Sequence, residues 1–355
     1  MNAAALWARL SAADLVEGSQ PEPEPRGSPW FVRLMLGIAG WIGALFLLGF
    51  VGAALSSIID DAVSAMIAGT LCCAGAFALF RSLEGHDAPE QFALAISLAG
   101  QGLLVIGLGQ IFEAEGSALY FAIAAVELTL ALIIANFLHR LLASGGSAIA
   151  LALAIDQLEL HGFAAPLLCA ALALIWLEPS KWATDGRLWR PVGYGLVLAI
   201  VLIETFRLFG AEGLFRGTRE PRWMALHGAL IGRGLTGAVL VAATAFLSFR
   251  EGYRPGSRIF LLSVGAALSI GILCMLAPGL GSALVILLLG FAAGNRLLVG
   301  VGILGLLGFA AHYYYSLHAS LLSKSGILAV TGIALLIASL FLRRERTTLE
   351  TPRHA

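Results

Sequence analysis

The chain has 355 residues, of which 59% are hydrophobic and 12% charged, and its mean hydropathy is +0.89. Soluble domains run at roughly 45–50% apolar and about 25% charged, so a water-soluble chain of this size would lack the polar residues to cover its surface, and lipid has to cover much of it. Lysine plus arginine and aspartate plus glutamate number 22 each, so no charge excess points to nucleic acid, and an acidic partner would have to meet a local patch.

Elements follow in chain order from the rule that unsatisfied peptide groups are too costly in hydrocarbon, so each apolar run of about 20 residues is a helix. A short helix with Leu6, Trp7 and Leu10 on one face is expected over 3–15, followed by the alternating Pro21, Pro23 and Pro25 linker. It is read as an interfacial helix or a docking element for a cytoplasmic partner. The first 30 residues hold no basic stretch followed by an apolar one, so the first run is expected to act as an uncleaved span. The runs are 31–55, 62–80, 91–109, 117–137, 141–155, 162–177, 191–208, 235–249, 259–276, 280–293, 297–315 and 326–342. The fifth, sixth and tenth are short, which suits helices shielded by neighbours and leaves the count at 10–12. The fifth and sixth are expected to form a hairpin whose turn faces outward. The fold class is therefore an all-α polytopic transmembrane bundle of about twelve spans. Residues 1–29 form a cytoplasmic segment, 30–343 one transmembrane domain and 344–355 a cytoplasmic tail.

Basic residues test that count, because they should alternate between rich and poor loops. With the N-terminus inside, 16 of the 22 fall on the cytoplasmic side, and both termini lie there. Of the other six, Arg207, Arg216, Arg219, Arg222 and Arg233 belong to one outer connection and Lys324 to another. No internal repeat is visible. Cys72, Cys73, Cys169 and Cys274 sit in apolar runs; a vicinal pair plus two singles fits neither a zinc spacing nor a disulfide framework, so packing is their expected role.

Two stretches carry a likeness that composition does not provide. Near the start stand Pro29-Trp30-Phe31-Val32-Arg33, Gly40-Trp41-Ile42 and Phe46-Leu47-Leu48. Near the end stand Pro278-Gly279, Leu287-Leu288-Leu289-Gly290-Phe291, Gly294-Asn295-Arg296, Tyr313-Tyr314-Tyr315 and Leu321-Leu322-Ser323-Lys324-Ser325. Together they resemble a family of bacterial inner-membrane proteins known only as a domain of unknown function, and the likeness runs over nearly the whole chain. Members of that family tend to be encoded beside a second multi-span protein and a small membrane-anchored protein with a Gly-Asp-Tyr-x-x-Leu-x-Tyr motif. The resemblance implies a membrane-protein partner and no particular reaction, and it brings no catalytic or binding residues.

Glu127 lies midway along the fourth run, where an ionised carboxylate is so costly that it must be neutral, paired or in a water-filled cavity. Gln101 lies at similar depth in the third run, about ten residues from its helix end. Two readings stay open: a neutral Glu127 hydrogen-bonded to Gln101 as glue between helices, or a proton or ion relay. Glu204 and Arg207, three positions apart, share a helix face and are expected to pair. Arg216, Arg219, Arg222 and Arg233 crowd an outer connection against the positive-inside preference. An anionic headgroup, a lipid-linked phosphate or an acidic partner would retain them there; an exposed loop with incidental arginines is the plainer account.

The remaining outer turns are acidic, with Asp60 and Asp61, Glu113 and Glu115, and Asp156 and Glu159 beside His161. Solvated helix ends account for them; the loop 56–61 is too short for the carboxylate-lined first loop of membrane glycosyltransferases. The three tyrosines at 313–315 suit an aromatic belt, and His312 and His318 fall on different helix faces. Gly290-x-x-x-Gly294 and the series Gly300, Gly302, Gly305 and Gly308 are expected to let backbones approach. No Walker loop, dinucleotide fingerprint, nucleophile elbow or His-Glu-x-x-His is present, and nothing names a cofactor or a metal. The reading is an inner-membrane protein acting with other membrane proteins among membrane lipid, with no enzymatic activity asserted. Its alternatives are a carrier using an intramembrane carboxylate and an enzyme acting on an anionic lipid-linked substrate.

Overall fold

Alanine, leucine, isoleucine and glycine dominate the apolar runs, and in the computed structural model these runs are helices. The structure describes residues 3–13, 61–82, 87–112, 116–208, 223–275 and 277–316, with isolated positions before residue 61. Eleven helices lie among them: α1 (Ala3–Ala12), α2 (Ala62–Ser82), α3 (Asp87–Ile111), α4 (Ser117–Ile133), α5 (Phe137–Gln157), α6 (Ala164–Trp176), α7 (Pro179–Leu208), α8 (Trp223–Arg250), α9 (Arg258–Cys274), α10 (Leu280–Ala292) and α11 (Arg296–Ser316). The expected first and twelfth spans and the Pro-rich linker fall outside the described residues. The chain divides into two compact units, Met1–Leu104 and Val105–Ala355.

In the first unit α2 and α3 touch backbone to backbone. A Cβ added at Gly69 would stand 2.8 Å from the Gly100 carbonyl oxygen, and one at Gly100 would stand 2.7 Å from Cys73 Sγ. The Cys73 thiol spends its hydrogen on the Ser97 carbonyl at 3.8 Å, a packing role for this cysteine. Asp61 starts α2: its Oδ2 accepts from the Ser64 amide and hydroxyl, each at 2.9 Å, satisfying a donor that the first turn leaves orphaned. Those hydrogen bonds hold the Asp61 carboxyl below its usual range.

In the second unit α5 packs on α4 and α7, α6 on α7 and α8, α8 on α9, and α10 on α8 and α11. Its centre is built by the two shortest spans. Cys169, Leu172 and Trp176 of α6 and Val285, Ile286 and Leu289 of α10 form one buried cluster with Val197 and Ile200 of α7. The edges are apolar and exposed, with Leu261, Leu262 and Leu273 on α9 and Leu304 and Leu307 on α11 all more than half exposed. Apolar surface of that extent suits lipid, where helices are held by close packing rather than by escape from water.

Several boundaries differ from the sequence reading, each for a physical reason. The fourth run was expected to reach residue 137, but α4 stops at Ile133, and Asn136 caps α5 by accepting from the His139 amide at 3.1 Å. The fifth span is consequently 21 residues long and not short. Arg140, expected in a loop, lies inside α5 and closes the end of α4, donating to the Ala131 carbonyl at 3.0 Å and the Leu132 carbonyl at 3.4 Å. Its remaining arm donates to the Arg187 carbonyl at 3.1 Å. That carbonyl is free because Pro191, four residues on, has no N–H to give it. Arg233 is likewise not in an outer connection. It lies within α8, and its Nη1 donates to the Met275 carbonyl at the end of α9, at 3.2 Å.

The glycine-rich block near the chain end splits by role. Gly290, Gly302 and Gly305 let α10 and α11 meet: a Cβ at Gly302 would stand 2.8 Å from Leu287 Cα. Gly294, Gly300 and Gly308 have nothing within 4 Å of such a Cβ among the described residues. Gly294 serves the turn instead, with φ of +62°. Asn295 next to it caps α11 through Oδ1 and donates from its amide to the Tyr194 hydroxyl at 2.6 Å. Tyr194 in turn sets its ring edge-on to Trp176, centroids 5.6 Å apart. The Gly294-Asn295-Arg296 signature is therefore a joint tying α11 to α7 and α6.

Candidate functional site

Two buried carboxylates and one ion pair concentrate the polar chemistry of the second unit. Glu127 is 7% exposed on α4, and opposite it α5 presents Gly146, whose missing side chain leaves room: a Cβ there would touch the carboxyl at 3.6 Å. Glycine gives space and offers no side-chain donor. Ser147, the next residue, spends its hydroxyl on the Ala124 carbonyl at 2.8 Å. Oε2 of Glu127 is buried with no hydrogen-bond partner among the described residues. An orphaned buried acceptor is rare and calls for an explanation, since desolvating it costs about 1–3 kcal/mol.

Gln101, the partner expected from depth, lies in the first unit and donates to Ser97 Oγ, one turn back on its own helix, at 3.4 Å. His139, which falls between the expected fourth and fifth runs, is fully buried near the start of α5.

Glu204 and Arg207 do not pair with each other. Glu204, also 7% exposed, accepts from Ser282 Oγ of α10 at 2.6 Å, and Cys169 of α6 neighbours the same two groups. Arg207 reaches Asp156 at the end of α5, with Nη2 3.5 Å from Oδ1, and His161 Nδ1 stands 3.8 Å from the same oxygen. Partners on neighbouring helices displace the local pairing that spacing suggests. Arg216, Arg219 and Arg222 lie outside the described residues, as do Asp60, Glu113, Glu115 and His318. Among the described residues no three His, Cys, Asp or Glu side chains converge as metal ligands.

Six described helices are long and apolar enough to cross a membrane, and four shorter apolar helices accompany them, so the fold is that of an α-helical membrane protein. Its sequence matches the family described as Domain of unknown function (DUF4401) over residues 29–345, and the chain belongs to that family. No curated protein and no solved structure matches it.

Proposed function

We propose that this chain is a multi-pass component of a bacterial inner-membrane complex, with about twelve spans and both termini in the cytoplasm. Its working group is Glu127, which passes a proton through the middle of the membrane. The observation that carries the reading is that Oε2 of a carboxyl buried against Gly146 has no hydrogen-bond partner among the described residues. A carboxyl held as glue would have its acceptors filled; one left open inside a bundle is suited to take and release a proton. Alternation of spans is supported by the helix ends that meet: the turn at Gly162 lies against Gly228 and Gly232 near the start of α8, while Arg250 at its other end donates to the Leu177 carbonyl after α6 at 3.4 Å. A membrane-protein partner rests on the family resemblance.

The test uses protein purified from its native membrane with whatever binds it stably, reconstituted in vesicles that enclose a pH-sensitive dye. A potassium diffusion potential should drive acidification through the wild type, and Glu127→Gln should abolish it while helicity and melting are kept. Wild-type vesicles no more permeable to protons than empty ones overturn the reading. A second reading, action on an anionic lipid-linked group at the outer face, rests on Arg216, Arg219 and Arg222 and no longer includes Arg233, which is occupied in α8.

A further inference from the structure

Between α5 and α7 lies a cavity of about 180 Å³ that the Glu127 reading does not use. Gly145 meets Gly195 where the two helices touch, and further along Asp156 meets Arg207, so the helices run parallel from the glycine contact to the ion pair. Between those points Ile149, Ala152 and Leu153 line one wall and Leu202, Ile203 and Phe206 the other. From Ile149 to Asp156 the slot is roughly 10 Å long at 1.5 Å rise per residue. Its walls carry no polar side chain until the end.

That end is both charged and fixed. One oxygen of Asp156 faces Arg207 and His161 together, at 3.5 and 3.8 Å. Arginine has five N–H donors, and among the described residues the contacts of Arg207 use one of them, which leaves donors for a ligand. The turn carrying His161 is locked in place: its carbonyl lies so close to Gly228 that any Cβ there would collide. An apolar cavity of roughly 150 Å³ stays dry and takes apolar guests, so water is a poor occupant. Free phosphate would leave the aliphatic walls uncovered, and a phosphate-free hydrocarbon would leave the arginine donors unused.

We propose that this slot seats one acyl chain of a glycerophospholipid with a net negative headgroup, whose phosphate accepts from Arg207. Asp156 holds the guanidinium at the mouth and weakens its field, which keeps the lipid exchangeable.

The full chain, stripped of lipid in detergent and titrated with phosphatidylglycerol, is read by native mass spectrometry. The wild type should retain one lipid. Arg207→Gln should weaken retention about fivefold, the order of one basic contact to an anionic lipid, and Arg207→Lys should restore part of it. Ala152→Phe, which fills the slot, should abolish retention while melting stays at the wild-type value; if it fails to fold, Ala152→Leu should lower retention by the same route. Retention unchanged by filling the slot overturns the seat. Diacylglycerol held as tightly as phosphatidylglycerol overturns the phosphate contact, and displacement by inorganic phosphate overturns the lipid as its source.

Discussion

Glu127 and Glu204 are equally buried, at 7% exposure, but α5 leaves an oxygen of the first without a donor while α10 gives the second a hydroxyl at 2.6 Å. The difference lies in the residue each faces. Gly146 opposite Glu127 supplies room, whereas Ser282 opposite Glu204 supplies a hydrogen bond. The same residue type at comparable burial is thus an anchor in one interface and an open valence in the other. Burial and helix position do not separate the two roles; the facing residue does.

Five substitutions strain this contrast, taken as comparisons in falling order of their largest expected effect. The adjacent pair Gly145 and Gly146 serves both faces of α5, one toward α7 and one toward Glu127. Gly195→Ala would drive a methyl into the Leu141 carbonyl and Ser144 and should cost about 3 kcal/mol in thermal unfolding, as overpacking does. Gly146→Ala meets Glu127 at ordinary contact distance and should be neutral or stabilising by up to about 1 kcal/mol. Equal losses at both glycines would mean that Glu127 has no room of its own.

Next come the carboxylates themselves. Glu204→Leu strands the Ser282 hydroxyl and should destabilise by about 2 kcal/mol, while Glu127→Leu removes an unsatisfied group and should leave the melting temperature unchanged or higher. Shifts in the same direction would break the comparison. Ser282→Ala should cost about 1 kcal/mol, in line with single hydrogen bonds between transmembrane helices, and a cost near zero would mean that Glu204 has another donor.

The smallest effect belongs to Asp61, an exposed anchor in the first unit. Its carboxyl titrates below the usual range because Ser64 donates to it twice, so the stabilisation is complete above the ordinary carboxylate pKa and is lost as the pH falls through the lower folded value. A carbon-13 titration of the side chain should find the depressed value, and Ser64→Ala, which removes the hydroxyl and keeps the amide donor, should raise it only part of the way back.

Much of the fold was legible because lipid leaves the backbone one choice per apolar run. Ten of the twelve expected runs coincide with described helices α2 to α11. Boundaries differ where an arginine that suits a loop lies inside a helix. Arg140 and Arg233 both lie inside helices and donate to the last carbonyls of the helix alongside, a use that one-dimensional hydropathy does not register. The Asn136-x-x-His139 cap was readable and would have placed the start of α5. Glu204 and Arg207 share a face, and the sequence holds no sign that Ser282 and Asp156, 78 and 51 residues away, would claim them. Glu127 stood out from position alone, but its openness depends on Gly146, and a glycine in a glycine-rich chain carries no signal of what it faces.

The most direct measurement of the central contrast is labelling by a hydrophobic carbodiimide, which reacts with a protonated carboxyl inside the membrane, followed by peptide mass spectrometry. Glu204 is the matched control, buried to the same degree. Glu127 should be modified and Glu204 spared, with modification of Glu127 blocking proton entry in the vesicle assay. Labelling of Glu204 to the same extent, or none at Glu127, contradicts the account.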